Sequence, residues 1–227
     1  MFKSCLAAAF AVMFSAQAAA ITVSIDEFNT NQGPVKDTPA AGAGVSLIQA
    51  PLNGEIWSNR SISVTATGPG FLLFPDDPAA GVADGSFAIN NDSKETSQVD
   101  LTWNIGAVTG LIGATNGALL LNFENNNPAN ILPTTVRFSF GSEVVTAALP
   151  AIPMASNLFS LALTNAQLAA LSAGTFLTLS FTGGDGYDVV LDSLKITADV
   201  PLPGSLLLLG SGLFGLGLTR KARVCAK

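Results

Sequence analysis

The sequence predicts an all-β fold: a single β-sandwich of jelly-roll character with one short helix. Three observations carry this. Apolar and polar residues alternate with a period of two in five separate segments. Gly, Pro, Asn and Asp punctuate the chain between them, as turns between short strands require. Helical periodicity of any length is confined to one stretch near residue 170.

The strands can be justified in order. Ile21, Val23 and Ile25 alternate with Thr22, Ser24 and Asp26. Ile62, Val64 and Ala66 alternate with Ser61, Ser63 and Thr65. Val99, Leu101, Trp103 and Ile105 alternate with Gln98, Asp100, Thr102 and Asn104. Val136, Phe138 and Phe140, and then Leu177, Leu179 and Phe181, repeat the pattern. Each alternation describes a strand with one face in a core and the other in water. Less regular strands fit 71–74, 85–90, 118–123, 143–149, 157–163 and 189–198, and 29–60 reads as the longest loop-like region. The one helix starts at Thr164, which can cap it, runs through 166–171 and stops at Gly174. Its two or so turns suit a connection over one end of the sandwich. Residues 21–199 are enough for one domain with a sizeable core.

Composition removes much chemistry. The 227-residue chain has no histidine, so it has no imidazole base and no His-ligated metal. Its two cysteines, Cys5 and Cys225, lie in the extreme terminal segments, which leaves the body without a thiol nucleophile or disulfide. Residues 21–199 hold five basic and sixteen acidic residues, a net charge of −11, while the ends are wholly basic. Such a body repels nucleic-acid phosphate, so no nucleic-acid partner is expected.

The two ends read as addresses. Lys3, the apolar run 6–14 and the small residues 15–20 form a secretory signal over 1–20, with cleavage after Ala20 or, alternatively, Ala18. At the other end Val200, Pro201, Leu202, Pro203 and Gly204 precede an uncharged Leu/Gly stretch, and Arg220, Lys221 and Arg223 follow it. The stretch 205–219 is expected to cross the membrane as a helix, with the basic stop on the cytoplasmic side. The expected organisation is therefore signal peptide 1–20, extracytoplasmic domain 21–199 and tail 200–227.

This tail resembles the sorting signal of PEP-CTERM proteins, in the variant that reads Val-Pro-Leu-Pro-Ala, with Gly204 in place of the final Ala. The resemblance implies a Gram-negative host, export by the secretory machinery, and processing by an exosortase, a membrane cysteine protease. It also implies transient anchoring in the inner membrane, then delivery to the cell surface or an exopolysaccharide matrix. More loosely, the body resembles exported β-sandwich proteins that carry this tail. The residues concerned are Ile25-Asp26-Glu27-Phe28 with Gln32, the segment 59–64 around Arg60, Leu101-Thr102-Trp103, and Tyr187-Asp188 with the strand after them. That similarity implies a sandwich of lectin-like shape and no known reaction. A structural or adhesive matrix protein is the expected function, with a calcium-supported carbohydrate-binding module as the alternative and no enzymatic activity.

The candidate sites follow from residue type. Strict alternation points Asp192 inward with Val190, Leu194 and Ile196, and a buried carboxylate needs hydrogen bonds or a cation. Asp26 and Asp188 could join it around a structural Ca2+, which takes six to eight oxygen ligands. The nonapeptide 183–191 matches a calcium-binding β-roll repeat, but one copy lacks the neighbouring half-site, and a Gly-rich hairpin turn explains it better. Asp76-Asp77, between two prolines, reads as an exposed turn and not as a hydrolytic pair. Trp57 and Tyr187 are the candidate aromatic platforms for a sugar, whereas Trp103 falls on a core-facing position.

Overall fold

The computed structural model describes residues 18–37, 44–49, 56–67, 78–91, 96–127, 134–149, 157–184 and 186–201. The signal segment 1–17, the proposed strand 71–74, Asp76, Asp77, Asp185, Leu202, Pro203, Gly204, the apolar stretch 205–219 and the basic stop lie outside them.

Thirteen strands and one α-helix are described. The strands are β1 (Ala18–Asp26), β2 (Gln32–Lys36), β3 (Gly44–Gln49), β4 (Trp57–Ala66), β5 (Ala79–Ala83), β6 (Ser86–Asn90), β7 (Ser97–Ile105), β8 (Thr115–Asn127), β9 (Thr135–Phe140), β10 (Glu143–Ala148), β11 (Leu158–Leu163), β12 (Thr175–Thr182) and β13 (Asp188–Pro201). The helix α1 (Asn165–Ala173) joins β11 to β12. A 3-10 turn at Thr109–Leu111 sits between β7 and β8. Three strands were not legible in the sequence: β2 and β3, inside the stretch read as loop, and β5.

The strands form two antiparallel sheets. One has seven strands, ordered β11-β8-β13-β6-β5-β2 with β1 also on β13; the other has six, ordered β10-β9-β12-β7-β4-β3. The winding is a jelly roll. From β6 onward the antiparallel pairs are nested, β6 with β13, β7 with β12, β8 with β11 and β9 with β10. Successive pairs fall in alternate sheets, as when a two-stranded ribbon is rolled onto itself. The early strands extend this barrel of pairs: β4 and β3 beyond β7, β5 and β2 beyond β6.

The core lies between the sheets and is filled by the alternating apolar positions. Val99, Leu101, Trp103 and Ile105 of β7 and Leu119, Leu121 and Phe123 of β8 are among the side chains that fill it, all essentially inaccessible to solvent. Phe87 bridges the layers, with ring centroids 5.9 Å from Phe28 and 6.2 Å from Phe181. At one end α1 closes the sandwich. Thr164 and Gln167 form a reciprocal capping box, and Gly174 ends the helix at φ 88°. Leu168 of the helix packs onto β8 where Gly117 leaves room: a Cβ there would stand 2.6 Å from Leu168.

Candidate functional site

Two polar clusters are buried in this sandwich, and the sorting tail leaves from one of its ends. The first cluster is built on Arg60. In β4, Arg60 shares parity with Ile62 and Val64, so its side chain points inward and is fully buried. Its Nη1 donates to Asp26 Oδ2 at 2.7 Å, its Nε to Gln32 Oε1 at 3.0 Å, and its Nη2 to the carbonyl of Thr30. Trp103 Nε1 donates to the same Asp26 oxygen at 2.7 Å, and the other oxygen accepts the Phe28 amide at 2.8 Å. The guanidinium also lies over two rings, 5.6 Å from the Phe28 centroid and 5.2 Å from that of Trp57. Every guanidinium nitrogen and both carboxylate oxygens thus have a protein partner, which helps a buried ion pair to offset its desolvation. It fastens the β1–β2 connection of one sheet to β4 and β7 of the other.

The second cluster surrounds Tyr187, which is buried. Its hydroxyl lies 3.3 Å from Ser97 Oγ, Ser97 Oγ donates to Asn91 Oδ1 at 2.8 Å, and Asn91 Nδ2 donates to the Tyr187 carbonyl at 3.2 Å. Burial raises the phenol's pKa above the usual tyrosine value, with hydrogen bonds from Ser97 and Asn91 opposing it in part. The ring passes directly over Gly183, where a Cβ would fall 2.5 Å from its atoms. The Gly-rich segment is therefore a connection shaped around an aromatic ring. It carries the chain from β12 in one sheet to β13 in the other, so it is not the hairpin expected from sequence.

These placements correct the candidate sites. Asp26 was expected in a cation site with Asp188 and Asp192. Instead its carboxylate is taken up by Arg60, Trp103 and the Phe28 amide. Asp188 Oδ1 accepts the Asn91 amide at 3.2 Å, and Asp192 Oδ2 accepts from Asn122 Nδ2 at 2.7 Å. A bulge in the pairing with β8 shifts the parity of β13 between Leu191 and Ser193. Leu191, Ser193 and Leu194 are consequently buried while Asp192 turns outward. Among the described residues no group of three acidic side chains is placed to hold a metal ion. Trp57 and Tyr187 are 2% and 1% exposed, so neither offers a ring to a ligand. Among the described residues the aromatic that does lie open is Phe176, at 59%.

Phe176 borders a polar surface that sequence reasoning left unassembled. The outer face of the six-stranded sheet places small polar side chains in register across four strands. Ser63, Asp100, Ser180 and Arg137 form one row; Ser61, Thr102, Thr178 and Ser139 form the next. Phe176 stands beside Asn104 in the adjoining row.

The tail leaves beside α1. β13 runs to Pro201, so Val200 and Pro201 of the sorting motif belong to its last turn of pleat. Its edge is shared end to end: β6 pairs with 189–191 and β1 with 194–201. Ala20, Ala19 and Ala18, at the expected signal-cleavage site, pair with Asp199, Val200 and Pro201. On the far side β8 reaches Asp199 through Thr115 and extends no further.

Fold and junction together define a two-layered β module carried on a C-terminal sorting tail. Residues 199–221 match the family model described as the PEP-CTERM protein-sorting motif, and the chain is a PEP-CTERM protein by that tail. No curated protein matches it. Among solved structures, one described as "CBM4 structure and function" is similar with a TM-score of 0.32 and 15% identity, over 77% of this chain and 99% of that one. The family 11 carbohydrate-binding module of a cellulosomal cellulase of Clostridium thermocellum is similar with a TM-score of 0.33 and 7% identity, over 81% and 96%. Overlaps of that degree say nothing about what this chain binds. Among the described residues no helix is long and apolar enough to cross a membrane.

Proposed function

We propose that this protein is exported, held at the inner membrane by residues 205–219 and processed by an exosortase at the motif from Val200 to Gly204. The body is then delivered to the cell surface or an exopolysaccharide matrix, where its work is structural or adhesive. The observation that carries the reading is the match of residues 199–221, which begins where the last strand ends. The order of parts agrees with it: a secretory signal before the first strand, an acidic module, then motif, apolar stretch and basic stop. The reading is non-enzymatic, since the body has neither histidine nor cysteine and the buried Asp26 and Arg60 bind one another. The intact mass of the protein recovered from its own host tests this. Loss of residues 205–227 is expected, and a surface form that keeps them overturns the processing.

One observation favours carbohydrate binding as a second reading. The registered rows of hydroxyl, amide and charged groups on the six-stranded sheet, bordered by exposed Phe176, form a polar surface with an aromatic at its margin. If the module binds the host's exopolysaccharide through this face, Phe176→Ala weakens retention on it while Trp57→Phe does not. No retention of the wild-type protein leaves the structural role alone.

A further inference from the structure

The pairing of β1 with β13 brings the two processing sites of this chain side by side. Ala18, Ala19 and Ala20 hold Pro201, Val200 and Asp199 in an antiparallel ladder, and β1 runs on through Ile21 opposite Ala198. Asp199 has a second neighbour in Thr115 of β8, and its Oδ2 accepts from Asn116 Nδ2 at 3.1 Å. Val200 and Pro201 have no such second strand among the described residues. Their only ladder partners are the alanines at the signal-cleavage site. Val200 is moreover half-buried against the core, so in this arrangement the start of the motif is part of the fold.

We infer that removal of the signal peptide after Ala20 releases the start of the sorting motif, Val200 and Pro201, from the sheet, so that the first cut licenses the second. This rests on the sorting reading above. The step is a hydrolysis: water adds across the Ala20–Ile21 peptide bond, leaving a carboxylate on Ala20 and an ammonium on Ile21. The mature strand then begins opposite Ala198, and Val200 and Pro201 lose their ladder. Cleavage after Ala18 instead leaves Ala19 opposite Val200, so that Val200 is still held. The choice between the two cleavage sites thereby sets how readily a second protease reaches the motif. A strand held in a sheet must be peeled away before a protease can take it up, whereas a free extended segment can be taken up directly.

The test uses two full-length precursors in the native host, with the leader exchanged so that the mature chain starts at Ala18 or at Ile21. Tail loss is followed by pulse-chase. The Ile21 chain is expected to lose its tail about tenfold faster, equivalent to about 1.4 kcal/mol over three strand pairs. Equal rates overturn the inference. If neither chain loses its tail, the sorting reading fails and the inference falls with it. A second readout is independent of the protease: amide exchange at Asp199 and Val200, taken together, on both full chains purified in detergent. Faster exchange in the Ile21 chain is expected; equal exchange overturns the release.

Discussion

At the residue scale the decisive interaction is the Asp26–Arg60 pair, 2.7 Å apart with both side chains fully buried. Removing one partner leaves a charge in the core with no opposite charge to answer it. Asp26→Ala or Arg60→Ala is expected to cost about 3–5 kcal/mol in a urea melt of the exported protein. The double replacement Asp26→Leu with Arg60→Met is expected to cost markedly less than the sum, because no orphan charge remains. Tyr187 supplies a pH dependence. Its phenol is held neutral by burial, so its folded pKa lies above its unfolded one. The stability it contributes is complete below the unfolded value and is lost as pH rises above about 10 toward the folded value. Tyr187→Phe is expected to flatten that alkaline decline while costing about 1 kcal/mol at neutral pH for the lost hydrogen bond. Glu27 behaves oppositely and weakly. The Lys195 ammonium, 3.2 Å away, and the Ser24 hydroxyl lower its pKa, so the pair helps above the usual carboxylate range and fades as pH falls through the lowered value. With its side chain 46% exposed, solvent keeps that contribution within about 0.5 kcal/mol.

At the element scale, turns and caps hold the strands in place. Gly183→Ala drives a methyl into the buried Tyr187 ring, whose tight surroundings cannot yield. The expected loss is about 1–3 kcal/mol, read as a lowered midpoint in thermal unfolding. Thr164→Ala removes one half of the α1 capping box and is expected to cost about 1 kcal/mol. The elements legible in the sequence were those with clean alternation, such as β7, whose burial alternates without a break from Ser97 to Ile105. Those that were missed lack it for local reasons. β2 contains Gly33-Pro34 and is bulged between Gln32 and Val35. β5 has Gly81 backed onto Pro34, with room for no side chain: a Cβ would stand 3.0 Å from the Pro34 Cα. The pairing of β2 with β5 is itself irregular, and a period-two pattern cannot record that.

At the scale of the whole molecule the nested pairing β6–β13 through β9–β10 makes the centre of the body a jelly-roll winding, which β5 and β2 extend in one sheet and β4 and β3 in the other. β13 is central to it, pairing with β8 along one edge and with β6 and β1 along the other. Stability of the module is therefore expected to depend on this winding and its two polar clusters, and not on a bound ion. A thermal melt in EDTA is expected to leave the midpoint where it is; a fall of several degrees would mean that a cation site exists after all. The first and last described residues, Ala18 and Pro201, are paired at the same end of the sandwich.

What the sequence by itself determined was the fold class, the single helix with its caps, the core positions of the regular strands, and the sorting tail. Each is written locally, in periodicity or in contiguous motif. The inward position of Arg60 was written there too, in its parity with Ile62 and Val64, and was passed over. What only the tertiary structure decided was which way the other special side chains point, because bulges reset parity. One between Ser24 and Asp26 turns Asp26 inward, one between Trp57 and Asn59 puts Trp57 on the same face as Arg60, and one near Asp192 turns that carboxylate out. A bulge depends on how the partner strand is registered, and the partner can be more than a hundred residues away. The same holds for the ladder that joins Ala18–Ala20 to the sorting motif. Nothing in either segment names the other, and only the winding of the sheet brings them together.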